Sequence, residues 1–192
     1  MKTGPRAIKY SGGFTLVEMM ITLVVVAILL SAAVPSFSAM IKSSRLATQT
    51  NSIITDIHFA RNEAVKRSTT VIMCRSANPD ATSPSCGGTQ QVWTGGYLIF
   101  ADDGKKTNTI YDAGTDILLR RSQAAAQDVV IHTNTAWDSN IRFGYSGNAD
   151  GNGGTAVMSI CDDRGTSYGR EIKVMPSGST VASSLTSPSC VL

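Results

Sequence analysis

The feature that most constrains this chain is an apolar run, FTLVEMMITLVVVAILLSAAV at residues 14–34, in which only Thr15, Glu18, Thr22 and Ser31 are polar. As a helix rising 1.5 Å per residue it covers about 31 Å, the thickness of a bilayer's hydrocarbon core. Lys2, Arg6 and Lys9 precede it with no acid among residues 1–13. The excess of positive charge predicts a cytoplasmic N-terminus and a chain that continues on the far side. A cleaved secretory signal would share the basic start. Its apolar core is shorter, however, at about 7–15 residues, and no A-x-A-like site stands out here. Glu18 does not suit a plain anchor either. A carboxylate in hydrocarbon costs about 2.5–3.5 kcal/mol on insertion scales, so it needs a partner or a role.

Gly13-Phe14-Thr15-Leu16-Val17-Glu18 resembles the prepilin processing motif of type IV pilins and type II secretion pseudopilins. The resemblance implies cleavage between Gly13 and Phe14 by a prepilin peptidase and N-methylation of the new terminal Phe14. It also implies that Glu18, the family's hallmark glutamate, works in assembly, and that Pro35 is the family's helix-kinking proline. When subunits pack side by side, the Glu18 carboxylate of one can pair with the Phe14 ammonium of another, offsetting two desolvation costs together. The expected organisation is a leader at 1–13, a transmembrane and filament-core helix at 14–34, its amphipathic continuation at 35–69 and a periplasmic β-rich head at 70–192. The intact sequence carries a formal net charge of +3. Removing residues 1–13 lowers Lys+Arg from 17 to 14, equal to the 14 Asp+Glu. The basicity belongs to the leader.

Past Pro35, Leu46, Ile53, Ile57, Ala60 and Ala64 recur on one helix face. The helix is expected to run from about Phe14 to about Lys66, kinked or loosened at Pro35. Short strands then follow at Thr70–Cys74, Tyr97–Ala101, Ile117–Arg120, Val129–Thr133, Ile141–Tyr145, Ala156–Cys161 and Glu171–Met175, with a last one near Ser179–Ala182. Segments rich in Gly, Asn, Asp, Ser and Pro separate them. The expected class is α+β and pilin-like, one long helix packed on an antiparallel sheet. At 42% hydrophobic but 6% aromatic residues, its core must be largely aliphatic.

Cys74, Cys86, Cys161 and Cys190 form an even set in a domain placed outside the cytoplasm, which points to disulfides. Three pairings are open. Order along the chain favours Cys74–Cys86 and Cys161–Cys190, each worth about 3 kcal/mol in the chain-entropy model. No C-x-x-C motif is present, which argues against a zinc ribbon.

Four later segments resemble the GspH/FimT/FimU group of minor pilins and pseudopilins: residues 60–74, Trp93–Asp102, 117–120, and 159–165 followed by 169–174. That resemblance implies a low-copy structural subunit, located at the inner membrane and later in the pilus at the cell surface. It also implies a role in priming filament assembly at the tip, with other minor pilins and the major pilin as partners. The alternatives are a GspH-like secretion pseudopilin and a FimT-like DNA-binding pilin using Arg164, Arg170 and Lys173. The DNA reading is the weaker. Gly169-Arg170-Glu171-Ile172 only partly matches the basic G-R-x-R pattern, and residues 174–192 contain no Lys or Arg.

The remaining chemistry is thin. Asp102, Asp103, Asn108, Asp112 and Asp116 lack EF-hand spacing and read as solvated turn acids. His58 and His132 have no nucleophile motif beside them, and no G-x-S-x-G occurs. Gly144–Gly154 lacks a phosphate-loop pattern and reads as a mobile surface loop. No enzymatic activity, metal or cofactor is expected.

Overall fold

The computed structural model describes residues 13–102, 110–137, 139–150 and 154–185. Two compact units divide after Ile41. Helix α1, Leu16–Arg67, is assigned without a break across Pro35. It begins two residues later than the sequence suggests, because Thr15 caps it: the Glu18 backbone N–H donates to Thr15 Oγ1 at 3.3 Å. Its end is equally defined. Ser68 turns left-handed at φ 53°, and the N–H groups of Ser68 and Thr69 return to the carbonyls of Val65 and Ala64. This paired return satisfies carbonyls that the helix would otherwise leave open.

In the second unit, two antiparallel sheets follow. Strands β1 (Val71–Arg75), β2 (Tyr97–Ala101), β3 (Ile117–Arg121), β5 (Asn140–Phe143) and β6 (Ala149–Asp150) build the first, in the order β3-β2-β1-β5-β6. The second holds β4 (Val129–Thr133), β7 (Ala156–Asp162), β8 (Arg170–Val174) and β9 (Thr180–Ser184), in the order β4-β7-β8-β9. The sequence suggests one sheet; there are two, joined through a common core. Leu46, Ile53, Ile57, Ala60 and Ala64 of α1 cluster with Met73, Ile99, Ile141 and Phe143 of one sheet. From the other sheet come Ile131, Met158, Ile160, Ile172 and Val174.

Both faces of β1 and β2 are buried. Alternate residues divide between the main core and an outer apolar layer, where Ile72, Cys74, Leu98 and Phe100 meet Cys86, Tyr111 and Leu118. The Cys74–Cys86 disulfide lies in this layer, with 5.6 Å between Cα atoms, and Tyr111 meets Phe100 edge-on at 5.4 Å.

Polar groups lock α1 to the sheets. The buried Asp56 accepts a 2.6 Å bond from the Tyr97 hydroxyl and an ion-paired bond from Arg120. The Arg120 guanidinium also lies 4.1 Å from the centre of the Phe59 ring. Burial, and then the neighbouring Asp56 carboxylate, hold the Tyr97 phenol well above its ordinary pKa. Arg61 donates to the carbonyls of Gly147 and Ser177 at 2.9 and 3.3 Å, tying the β5–β6 turn to the β8–β9 turn. Gly178 has φ 76°, and a Cβ on it would lie 2.0 Å from the Gly147 oxygen, so this seam admits no side chain. The segment read as a mobile loop therefore includes an anchored turn and strand at 144–150. Acids in the 110–116 segment serve their own turn, as Asp116 Oδ2 and Asp112 Oδ1 accept from the Asp112 and Gly114 N–H groups.

Candidate functional site

The first unit presents Gly13, Phe14 and Glu18, the residues the N-terminal motif singles out. Gly13 and Phe14 precede the helix, and Phe14 is 77% exposed. Thr15 as cap and Glu18 three residues on have the spacing of a capping box, in which the acid also complements the positive end of the helix dipole. Glu18 thus lies one turn into the helix, beside the site where cleavage would create an ammonium. Its side chain is exposed. Leu16, Val17, Ile21, Leu23, Ile28 and Leu29 are also exposed, as are Phe37, Met40 and Ile41 beyond the expected span. The capping signal Thr-x-x-Glu was present in the sequence but was overshadowed by the apolar run around it. By length and composition the helix is able to cross a membrane.

In the second unit, the candidate cations fare differently from one another. Arg164 grips Asp162 through Nε and Nη2, the latter at 2.6 Å, and its Nη1 donates to Ser43 Oγ at 2.9 Å. Its guanidinium also lies 4.4 Å from the Tyr168 ring centre. Burial alone would raise the Asp162 pKa, but the bonds from Arg164 outweigh it and hold the carboxyl below its ordinary value. Lys173 Nζ stands 2.8 Å from the buried Glu171 Oε1, an ion contact without hydrogen-bond alignment. Arg170 is exposed at the start of β8. The structure therefore brings Arg164 and Arg170 to one cleft and turns Lys173 toward a carboxylate. His58 is exposed and His132 half-buried. Among the described residues, no cluster of three metal-ligating side chains occurs. Asp103 and Asn108 lie outside the described residues, as does Cys190. Cys161 is disulfide-bonded and buried.

A family profile described as Type II transport protein GspH matches residues 49–178, the greater part of the chain. The chain belongs to the GspH family. A second profile, the prokaryotic N-terminal methylation motif, matches residues 8–34 and so frames Gly13, Phe14 and Glu18. Two crystal structures of the Pseudomonas aeruginosa (strain PAO1) type IV minor pilin FimU share the fold. One aligns with a TM-score of 0.55 at 16% identity, covering 74% of this chain and 90% of that one. The other gives 0.51 at 14%, covering 74% and 95%. Comparison with curated proteins finds no match. This GspH-family chain is thus a minor pilin or pseudopilin of the type IV pilus and type II secretion class, α+β in fold, with the methylation motif at its N-terminus.

Proposed function

We propose that the chain is a minor pilin of the type IV pilus that primes filament assembly and resides at or near the tip. The observation that carries this reading is the N-terminal one. A methylation motif opens a helix whose apolar residues are exposed among the described residues of their own unit, and a carboxylate stands one turn from the proposed cut. Cleavage after Gly13 leaves Phe14 as an N-methylated terminus. Before assembly the apolar helix rests in the inner membrane with the head in the periplasm. During assembly, Glu18 of the incoming subunit pairs with the Phe14 ammonium of a neighbour, and the helices of other minor pilins and the major pilin replace lipid. Cys161–Cys190 ties the C-terminal tail to β7, and Pro35 provides the helix's point of weakness.

The description of the matching profile favours a second reading, a GspH-like pseudopilin of type II secretion. Both readings use the same N-terminal chemistry. DNA binding through Arg164, Arg170 and Lys173 has less support, since two of the three cations are already paired with acids.

The test compares wild type with Glu18→Ala in whole cells. Membrane fractions are expected to hold both proteins equally, while sheared filaments retain at least tenfold less of the variant. Equal amounts in the filaments would remove the assembly role. Loss of secreted substrates with intact pili, on deleting the chain, would select the pseudopilin reading.

A further inference from the structure

We propose that residues 162–164 form a salt-sensitive clasp that keeps one turn of α1, residues 42–45, in helical form and so sets where the helix held by the head begins. The clasp lies wholly within the second unit and operates whichever assembly the chain joins.

The sequence makes this turn a weak one. Lys42-Ser43-Ser44-Arg45 has no apolar side chain to bury. Its two serines also compete for backbone hydrogen bonds and favour a helix less than alanine does. Along α1, Leu46 is the first buried position among the described residues. Thr50, Ile53 and Ile57 follow it into the core side of the helix. The apolar grip of the head therefore starts just after this turn, and the division between the two units falls just before it.

What reaches the turn is polar. Lys42 Nζ pairs with Asp163 Oδ2, and Arg164 Nη1 donates to Ser43 Oγ at 2.9 Å. Both ties come from the end of β7, 121 residues along the chain. That end is fixed from within. The Arg164 N–H donates to Asp162 Oδ1 at 3.0 Å, and the Gly165 N–H to the Asp162 carbonyl at 3.1 Å. The buried Asp162 carboxylate also holds the guanidinium through Nε and Nη2. Arg164 is thus aimed by β7 before it meets Ser43. The hold on α1 is modest by comparison. The Lys42 and Asp163 side chains are 30% and 50% exposed, so dissolved ions screen their attraction. Such a turn can open while Leu46 and the core stay packed. Closed, the held helix begins at Lys42; open, it begins at Leu46.

A helical N–H donates to the carbonyl four residues before it, so the amides of residues 46–49 report whether 42–45 are helical. The experiment is hydrogen exchange on the full chain in detergent micelles, comparing wild type with the double variant Asp163→Asn, Arg164→Lys. Asparagine removes the charge facing Lys42. Lysine keeps a cation beside Asp162 but lacks the third arm that reaches Ser43. Neither change alters α1, so its own helix propensity is the same in both proteins. Amides 46–49 are expected to exchange about tenfold faster in the variant, with amides 53–64 unchanged. Raising the salt to about 1 M should speed amides 46–49 several-fold in wild type and much less in the variant, each relative to amides 53–64. Equal exchange at 46–49 in the two proteins overturns the clasp. So does an equal acceleration at 46–49 and 53–64, which would make residues 162–164 a support for the whole head. An equal response to salt in both proteins overturns the ion pair as the hold.

Discussion

The two ends of α1 are built from similar aliphatic residues and used in opposite ways. Ile57 is fully buried, while Ile28 is 64% exposed. Around Ile57, polar residues occupy the remaining helix faces, and the apolar stripe meets two sheets. Around Ile28 the helix is apolar on every side, and among the described residues of its own unit nothing covers it. A stripe one face wide specifies a partner within the same chain. A helix apolar all round specifies a surrounding medium, either lipid or a bundle of other helices. Only the first arrangement contributes to the stability of the head.

That contrast can be broken at several depths. Ile57→Ala should cost about 3–4 kcal/mol, because it deletes core volume that rigid neighbours cannot refill. Ile28→Ala should leave the denaturation midpoint of the same full-length chain within about 0.5 kcal/mol. Equal effects in urea titrations monitored through Trp93 and Trp137 would erase the distinction. Replacing both Cys74 and Cys86 by Ala comes next, at about 3 kcal/mol for a bridge across 12 residues; the same titration under oxidising and reducing conditions measures it. Asp56→Asn should cost about 1–2 kcal/mol. It frees the Arg120 charge, but that side chain is 40% exposed and water recovers part of the loss. A double-mutant cycle with Arg120→Gln isolates the pair.

The smallest effect is a pH dependence. Because the Asp162 carboxyl is held below its ordinary pKa in the folded head, its stabilisation is complete above the unfolded value, about 3.9. It is lost as pH falls through the lower folded value. Arg164→Gln should flatten this acid limb and leave stability at pH 7 to 8 with the same slope as wild type. Thermal melts from pH 7 down to about pH 2 would show it, and an unchanged acid limb would discount the pair.

Regular patterns in the sequence carried the fold. The spacing of Leu46, Ile53, Ile57, Ala60 and Ala64 located the packed face of α1, and β-branched runs located most strands within a residue or two. Strand β6 escaped because two residues cannot display a period. The division into two sheets escaped because alternation identifies strands and not their neighbours. Asp56, Tyr97 and Arg120 looked like unrelated polar positions, since the partners stand 41 and 64 residues from Asp56 and only the fold brings them together. No sequence pattern marks Tyr111, because its packing on Phe100 depends on a second apolar layer. At the N-terminus, by contrast, the motif is contiguous, so Gly13, Phe14 and Glu18 were legible directly. Arg164 and Lys173 were legible as cations, but their pairing with Asp162 and Glu171 was visible only in the fold.

The placement of Cys74 beneath the outer apolar layer has a consequence for the timing of folding. Cys74 has no exposed surface, and Cys86 is half-buried. Thiol–disulfide exchange needs an attacking thiolate to reach a sulfur atom. The oxidant must therefore meet Cys74 while the layer formed with Phe100 and Tyr111 is still open, and a reductant arriving afterwards has only the half-buried Cys86 to attack. Oxidation here is an early, nearly one-way event in the life of the head. A bond that yields to dithiothreitol only once denaturant has opened the layer is the expected sign of it.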